Sequence, residues 1–507
     1  MQNTSDHLRA PSRQGAVFDR LRLGILAGTL APGARLPPSR HLAEELGVGR
    51  QTVVLAYERL AAEGYVRGRV GSGTFVAADL PDRAPAPAAP PMRAGGGLSR
   101  RGAALAATPL SSAGPVAGES GLLAPGLLAP GLPALELFPA AAWAQCTARV
   151  LRGLAAEQVG YPDPQGLPAL RGQIAAHLAA TRGLLADPAH IMVTTGTQQA
   201  LRLAADLLLD PGDQAWVEDP GYIAGRGALL AGGATLVPVP SDADGIDVAA
   251  GLLAAPAARL ALVAPSHATP LGGALPIGRR LALLDWASRA GAWILEDDCD
   301  SEFRWEGRPL PPLATLDREG RVIYCGTFSK TLAPALRLGF AVVPPPLMPA
   351  FRQARGLMDR GPGTLQQAVL AEFMREGRLA PHIRRMRTEY ARRRTALLAA
   401  LARHAPGLAA LAAPGGLHLV ARLDAAADEA AMVAGARARG LAVAPLGAYF
   451  CGAHRPGELA QGGLVLGFAG MPTALAGDVA RWLQAAIRGA SKAGALPLDP
   501  AKGQLPL

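Results

Sequence analysis

Near the amino terminus, apolar residues recur at Val17, Leu21, Ile25 and Leu26 within VFDRLRLGILAGTL, a spacing that predicts a helix. LAPGARLPPSR then turns on proline and glycine, and Ser39 is placed to cap a second helix over RHLAEELG. RQTVVLAYERLAAEG predicts a third helix, stopped by Gly64. YVRGR and TFVAA read as two short strands joined through Val70-Gly71-Ser72-Gly73. Three helices and a hairpin predict a winged helix-turn-helix over residues 12–78.

The pattern then lapses. Residues 79–124 are dominated by Ala, Pro, Gly and Ser, and cannot bury enough apolar area to order themselves, so they read as a flexible linker. The pentad GLLAP occurs twice in tandem from Gly121, the mark of duplication in a tolerant segment. From 125 to 490, short apolar runs (HIMVT, QAWVED, LALVAP, AWILEDD, RVIYCG) alternate with longer helical stretches, which predicts an α/β domain. Residues 491–507 read as a frayed tail.

Composition narrows the classes. Half of the 507 residues are hydrophobic and 18% are charged, so large cores are possible. No apolar run approaches the roughly 18 residues of a membrane span, and MQNTSDHLRA lacks an apolar signal core, so a cytoplasmic chain with no membrane partner is expected. Cys146, Cys299, Cys325 and Cys451 are too scattered for a disulfide scaffold or a metal site. The net charge of +10 favours a polyanionic partner. Only three of the 50 basic residues are lysines, Lys330, Lys492 and Lys502, and Lys330 alone lies inside the large domain.

Lys330 follows the strand RVIYC in GTFSKTLAPALRLG, flanked by hydroxyls and followed by Arg337. An amine in that setting suits an aldehyde cofactor bearing a phosphate: the lysine forms a Schiff base while hydroxyls and guanidinium hold the anion. AWILEDDCDSEF ends a strand in carboxylates, one of which could keep a pyridine nitrogen protonated. Gly196, Thr197 and Gln198 open a helix in TTGTQQAL, a natural phosphate seat, and Tyr222 follows another strand in EDPGY. Singly, each signal is more often a surface charge, a solvated acid pair or an ordinary helix start. Their order and spacing carry the reading.

PGARLPPSRHLAEELGVGRQTVVLAYERLAAEGYVRGRVGSGTFV is similar, almost position by position, to the DNA-binding domain of GntR-type regulators. From residues 1 to 78 ten arginines face six acids, an unremarkable surplus, so the ordered motif decides the reading. The resemblance implies double-stranded operator DNA as partner, contacted by Arg40, Arg50, Gln51 and Thr52, with Gly71 at the wing tip and Arg35 as a weaker candidate. Gly49 stands where the family usually has Ser or Thr, which removes a helix cap. From LELFPAAAW through GYPDPQGLPALR, TTGTQQAL, EDPGY, PSHATPLGG, EDDCDSEF and GTFSKTLAPALRLG, the chain resembles a fold-type I aminotransferase with a smaller α+β carboxyl-terminal subdomain. The two halves in this order resemble the MocR family of pyridoxal-phosphate-dependent regulators.

By that resemblance Lys330 holds the cofactor and Asp297 pairs with its pyridine nitrogen. Tyr222 stacks on the ring, and Thr197, Gln198, Thr327, Ser329 and Arg337 hold the phosphate. Tyr161 reaches the phosphate from a partner subunit, and Arg226 clamps an effector carboxylate. A homodimer, head-to-tail, is implied. Three departures stand out. Cys299 replaces a tyrosine that bonds the cofactor's phenolic oxygen. HATPLGG leaves Thr269, or His267, to face the cofactor, with a core role for His267 slightly preferred. Val465 lies near the position of the arginine that binds a substrate α-carboxylate. The expected function is a transcriptional regulator controlled by pyridoxal phosphate or by an amine joined to it as an aldimine. Cys299 and Val465 favour cofactor sensing, or an effector other than an ordinary α-amino acid. The alternative is an active aminotransferase with an accessory DNA-binding domain.

Overall fold

The computed structural model describes residues 13–69, 72–80, 97–108, 116–117, 123–124, 126–154, 159–307, 310–411, 413–423, 428–452 and 457–491. It divides into two units, Met1–Gly97 and Leu98–Leu507.

In the first unit, helices α1 (Arg13–Leu26), α2 (Ser39–Leu46) and α3 (Arg50–Ala62) precede the antiparallel strands β1 (Val66–Arg69) and β2 (Gly73–Val76). Val17, Phe18, Leu21 and Ile25 form one face of α1 and bury against Leu42, Val53, Ala56, Leu60 and Val76. Leu26, grouped with that face by its spacing, is 39% exposed. Ser39 is the first helical residue rather than the cap; Pro38 holds the cap position, without a side-chain bond. Gly49 caps α3 without a side-chain bond, as its lack of a side chain requires. Gly71 lies outside the described residues.

The second unit is built on an eight-stranded sheet. Its strands are β3 (Ile191–Thr194), β4 (Gln214–Asp219), β5 (Thr235–Asp242), β6 (Gly245–Ile246), β7 (Leu260–Val263), β8 (Trp293–Asp298), β9 (Val322–Thr327) and β10 (Gly339–Val342). The spatial order is β3-β10-β9-β8-β7-β4-β5-β6. The run from β9 to β5 is parallel, while β10 is antiparallel to both its neighbours. Adjacent residues of one strand feed opposite cores: Leu295 and Ile323 pack on one face, Ile294 and Val322 on the other. Burial on both faces is why these strands read as unbroken apolar runs. A smaller antiparallel sheet of four strands (Leu408–Leu411, His418–Leu423, Ala444–Pro445, Gly463–Gly467) carries helices Leu379–His404 and Ala476–Ser491 over its own core.

Parts of the segment read as a spacer form regular structure, among them a short antiparallel pair of Val116–Ala117 with Leu123–Ala124. Residues Arg100–Ala107 form a helix, α4, capped by Ser99, whose Oγ accepts from Gly102 N–H at 3.0 Å. The second GLLAP copy belongs to the body, which corrects its reading as a tolerant duplication. Leu128 is buried, Leu127 bridges to Leu441, and Gly467 N–H donates to the Leu128 carbonyl at 2.8 Å. Among the described residues no helix is long and apolar enough to cross a membrane, and no cluster of His, Cys, Asp or Glu could hold a metal ion.

Candidate functional site

At the carboxyl ends of β8 and β9, where parallel α/β sheets open their ligand crevices, lies a cavity of about 240 Å3 lined in part by Gly131, Tyr222, Asp297, Cys299 and Lys330. Lys330 stands three residues beyond β9 and donates from Nζ to the Gly131 carbonyl at 2.6 Å. Gly131 has φ +72°, and a β-carbon there would stand 2.8 Å from Nζ. The lysine therefore needs glycine opposite it. The tandem repeat gave no sign of this, because its second copy has the composition of the linker.

The structure sorts the carboxylates of β8. Glu296 accepts from the Leu313 and Ala314 amides at 2.6 and 2.9 Å. Asp298 accepts from Arg182 and from the Tyr324 hydroxyl, both at 2.6 Å. Asp297 alone is left for a ligand in the cavity. Among the described residues its side chain's one hydrogen-bond partner is the Cys299 thiol, which donates at 2.7 Å. Burial pushes Asp297 up to about 7, against that hydrogen bond. A buried carboxyl in this condition is suited to a cationic ring nitrogen, which would restore its charge. Glu218, deeper on β4, is pushed up to about 8 by burial and is protonated at neutral pH.

Thr197, Gln198, Thr327, Ser329 and Arg337 do not line the cavity itself; they adjoin it through Thr197, whose Oγ1 lies 3.7 Å from Cys299 Sγ, and their surroundings suit an anion. Helix α5 (Thr197–Leu208) begins after Gly196, whose φ is +125°, so the Thr197 and Gln198 amides are orphan donors of a helix start. A β-carbon at Gly339 would come within 2.8 Å of Gly196, so this turn rests directly on β10. Thr327 Oγ1 donates to Ser329 Oγ at 3.0 Å. Arg337 sits in the left-handed region (φ +51°), exposed, its guanidinium beside Gly196 and with no hydrogen bond or ion pair among the described residues. An amine, an acid, an aromatic ring and an unpaired anion seat fit pyridoxal 5′-phosphate.

Other residues depart from expectation. Arg226 is not available to an effector carboxylate. It is buried, and it donates to the Tyr449 and Ala448 carbonyls at 3.0 and 2.9 Å and to Cys451 Sγ at 3.1 Å. Gln198 uses its side chain on the Ala224 carbonyl at 2.8 Å, leaving only its backbone for the anion seat. Tyr161 is 82% exposed under Arg360 and does not line its own chain's cavity. Val465 is fully buried among Ile223, Val420, Ala444 and Tyr449. Thr269 and His267 both line the cavity. His267 Nδ1 lies 3.1 Å from Asp300 Oδ1. Burial opposes charge on that ring, yet Asp300 holds its pKa above the ordinary histidine value. Asp300, His418 and Tyr449 also line the cavity and were missed.

In the first unit, Arg40, Arg50 and Gln51 are exposed, with Thr52 half-buried on the first turn of α3. Arg35 is exposed beside the wing, its guanidinium reaching Gly73. Sequence reasoning overlooked Arg67 and Arg69. They alternate along β1 and so share a face, both exposed, with Arg69 over the Phe75 ring.

Residues 132–463 match the family described as aminotransferase class I and II, and residues 13–76 match bacterial regulatory proteins, gntR family. The chain is 40% identical over 486 residues to a probable rhizopine catabolism regulatory protein MocR of Rhizobium meliloti, with 96% of each chain covered. It is 33% identical to the HTH-type pyridoxine biosynthesis transcriptional regulator PdxR of Corynebacterium glutamicum, over 94% of this chain and 95% of that one. A solved structure of LysN, an alpha-aminoadipate aminotransferase of Thermus thermophilus complexed with N-(5'-phosphopyridoxyl)-L-leucine, is 29% identical, with a TM-score of 0.64 over 77% of this chain and 95% of that one. The chain therefore belongs to the MocR-type transcriptional regulators, in which a gntR-family DNA-binding domain precedes a pyridoxal-phosphate-binding domain of the class I and II aminotransferases.

Proposed function

We propose that this chain converts the state of the Lys330 cavity into a change in operator affinity, with pyridoxal phosphate itself, or an amine captured by it, as the controlling ligand. The observation that carries the reading is Lys330 and Asp297 on one cavity wall, with unpaired Arg337 beside the Gly196 turn, in one chain with the exposed Arg40, Arg50 and Gln51. When bound, pyridoxal phosphate supplies an aldehyde that captures amines. Lys330 offers the amine, Asp297 the counter-charge, and the start of α5 with Thr327, Ser329 and Arg337 the anion seat.

A route out of the cavity is available. Tyr222, on the cavity wall, is the cap residue of helix α6 (Ile223–Gly232). The linker helix α4 packs against α6, and a β-carbon at Gly227 would meet the Thr108 methyl at 3.3 Å. A ligand that prefers one setting of Tyr222 and α6 would bias α4, and through it the chain leading to the DNA-binding unit. Tyr161, exposed on its own chain, would serve the cavity of a second copy. A head-to-tail homodimer would use it so and would present two α3 helices to two half-sites. Operator DNA as partner puts the protein in the cytoplasm.

Lys330, Asp297 and Arg337 also permit turnover, so the competing reading is a working aminotransferase. Val465, apolar and buried in place of a carboxylate clamp, counts against it. The test is operator affinity at fixed salt, with and without pyridoxal phosphate, for the parent and Lys330→Ala. A several-fold change that Lys330→Ala abolishes supports the regulator. Sustained transamination without specific DNA binding overturns it.

A further inference from the structure

We infer that the amine captured in this cavity carries no carboxylate, and that its remaining polar groups are hydroxyls. This rests on the reading that the cavity takes pyridoxal phosphate and then an amine.

The argument counts what is left once the cofactor is served. Lys330, Asp297 and Arg337 are then engaged. Of the other carboxylates and bases on the cavity wall, Asp298 is matched by Arg182 at 2.6 Å and Asp300 by His267 at 3.1 Å. His418 is the remaining one. Burial first, and then the neighbouring His267, push it down to about 4, so its ring is neutral near pH 7. His418 Nε2 lies 2.9 Å from the Pro270 carbonyl, which can only accept, so Nε2 carries the proton. Among the described lining residues no cation is therefore free to receive a carboxylate.

The positions that could supply one are closed. Val465 sits fully buried in an apolar cluster with Ile223, itself on the cavity wall. Arg226 is held by two carbonyls and a sulfur. A carboxylate entering here would lose its water, gain no counter-charge and meet the carboxylates of Asp298 and Asp300. A hydroxyl meets a different wall. Thr269 lines the cavity, and its hydroxyl makes no hydrogen bond among the described residues. A neutral group that both donates and accepts can use it without a charge to neutralise.

The test uses the full chain saturated with pyridoxal phosphate and two matched pairs: 2-aminopropane-1,3-diol against serine, and 3-aminopropan-1-ol against 3-aminopropanoate. The absorbance of the bound cofactor and operator anisotropy are followed together. The amino alcohol of each pair should act at a concentration at least about tenfold below that of its acid. Thr269→Val should weaken the alcohols several-fold and leave the acids unmoved. Equal or tighter binding of the acids overturns the inference. So does a cofactor-loaded protein that neither alcohol perturbs, although cofactor sensing would then survive. Failure to take up pyridoxal phosphate at all would instead sink the reading beneath it.

Discussion

The Gly131 carbonyl accepts from Lys330 Nζ at 2.6 Å, across 199 residues of chain, and a β-carbon on Gly131 would stand 2.8 Å from that same nitrogen. Gly131→Ala should therefore displace the amine as well as strain a backbone at φ +72°. The left-handed conformation costs alanine about 1–2 kcal/mol. The larger expected effect is on the cofactor, with affinity for pyridoxal phosphate falling by about tenfold or more. An absorbance titration checks this. Unchanged affinity with only a lower melting temperature would reduce Gly131 to a backbone role.

How much of this site could be read from the sequence follows from where its groups come from. Lys330, Asp297 and the start of α5 were legible because each sits at the end of an unbroken apolar run. Gly131 was hidden because its partner lies across the fold. Arg226 was misread for the same reason: sequence displays a charge, but not the carbonyls of Ala448 and Tyr449 that occupy it. Strand β5 holds Pro238 and Pro240, which by sequence argue against a strand. It tolerates them because it pairs with β4 from Thr235 to Pro240 on one side, while two-residue β6 covers only Ser241 and Asp242 on the other.

If Arg226 is a brace rather than a ligand clamp, Arg226→Met should act on stability before it acts on ligand. Removing the guanidinium leaves the half-buried Ala448 carbonyl without a donor among the described residues, while the Tyr449 carbonyl keeps Gly221 N–H at 2.9 Å, at a cost of about 1–3 kcal/mol. Urea midpoints should fall clearly, while the ranking of amines in the cofactor-loaded protein stays as in the parent. A changed ranking with unaltered stability would restore Arg226 to the effector site.

The buried acids give the cofactor-free protein a pH dependence. Burial raises Glu218 to about 8 and Asp297 and Glu296 each to about 7. Acids raised on folding bind more protons in the native state than when unfolded. Their contribution is therefore complete at low pH and is lost as pH rises towards those values. His418, lowered to about 4, acts oppositely and erodes stability only as pH falls below its unfolded value. Stability should thus decline between about pH 6 and pH 8. Glu218→Gln, which cannot ionise, should gain on the parent by more than ~1 kcal/mol at pH 8 relative to pH 6. Urea midpoints at the two pH values decide it, and parallel losses in both proteins would count against Glu218.

On the DNA-binding unit, the exposed side chains should divide by what they read. Arg67 and Arg69, side by side on β1, suit phosphates, so Arg67→Ala should weaken binding to all sequences alike and reduce the salt slope by about 1. Gln51, in the first turn of α3, suits a base edge. Gln51→Ala should cost about 1–3 kcal/mol on the operator and little on unrelated DNA. Anisotropy over a salt series separates the two. A sequence-dependent loss for Arg67→Ala would place the wing at a base instead.

The contact between α4 and α6 offers the most direct way to separate ligand binding from signalling. Outside its own helix, the one heavy atom among the described residues that a β-carbon at Gly227 would approach within 4 Å is the Thr108 methyl, at 3.3 Å. A larger side chain there pushes on the end of the linker helix and on nothing in the cavity. Gly227→Leu also replaces a poor helix former by a good one, favouring α6 by up to about 1 kcal/mol, so the helix beginning beside Tyr222 should remain formed. Cofactor affinity should stay within about twofold of the parent, while operator affinity ceases to respond to the ligand. If the response survives intact in Gly227→Leu, then α4 is a passive spacer and the signal leaves the body by another path. If cofactor affinity collapses as well, the contact is part of the pocket's own support and cannot be assigned to the relay.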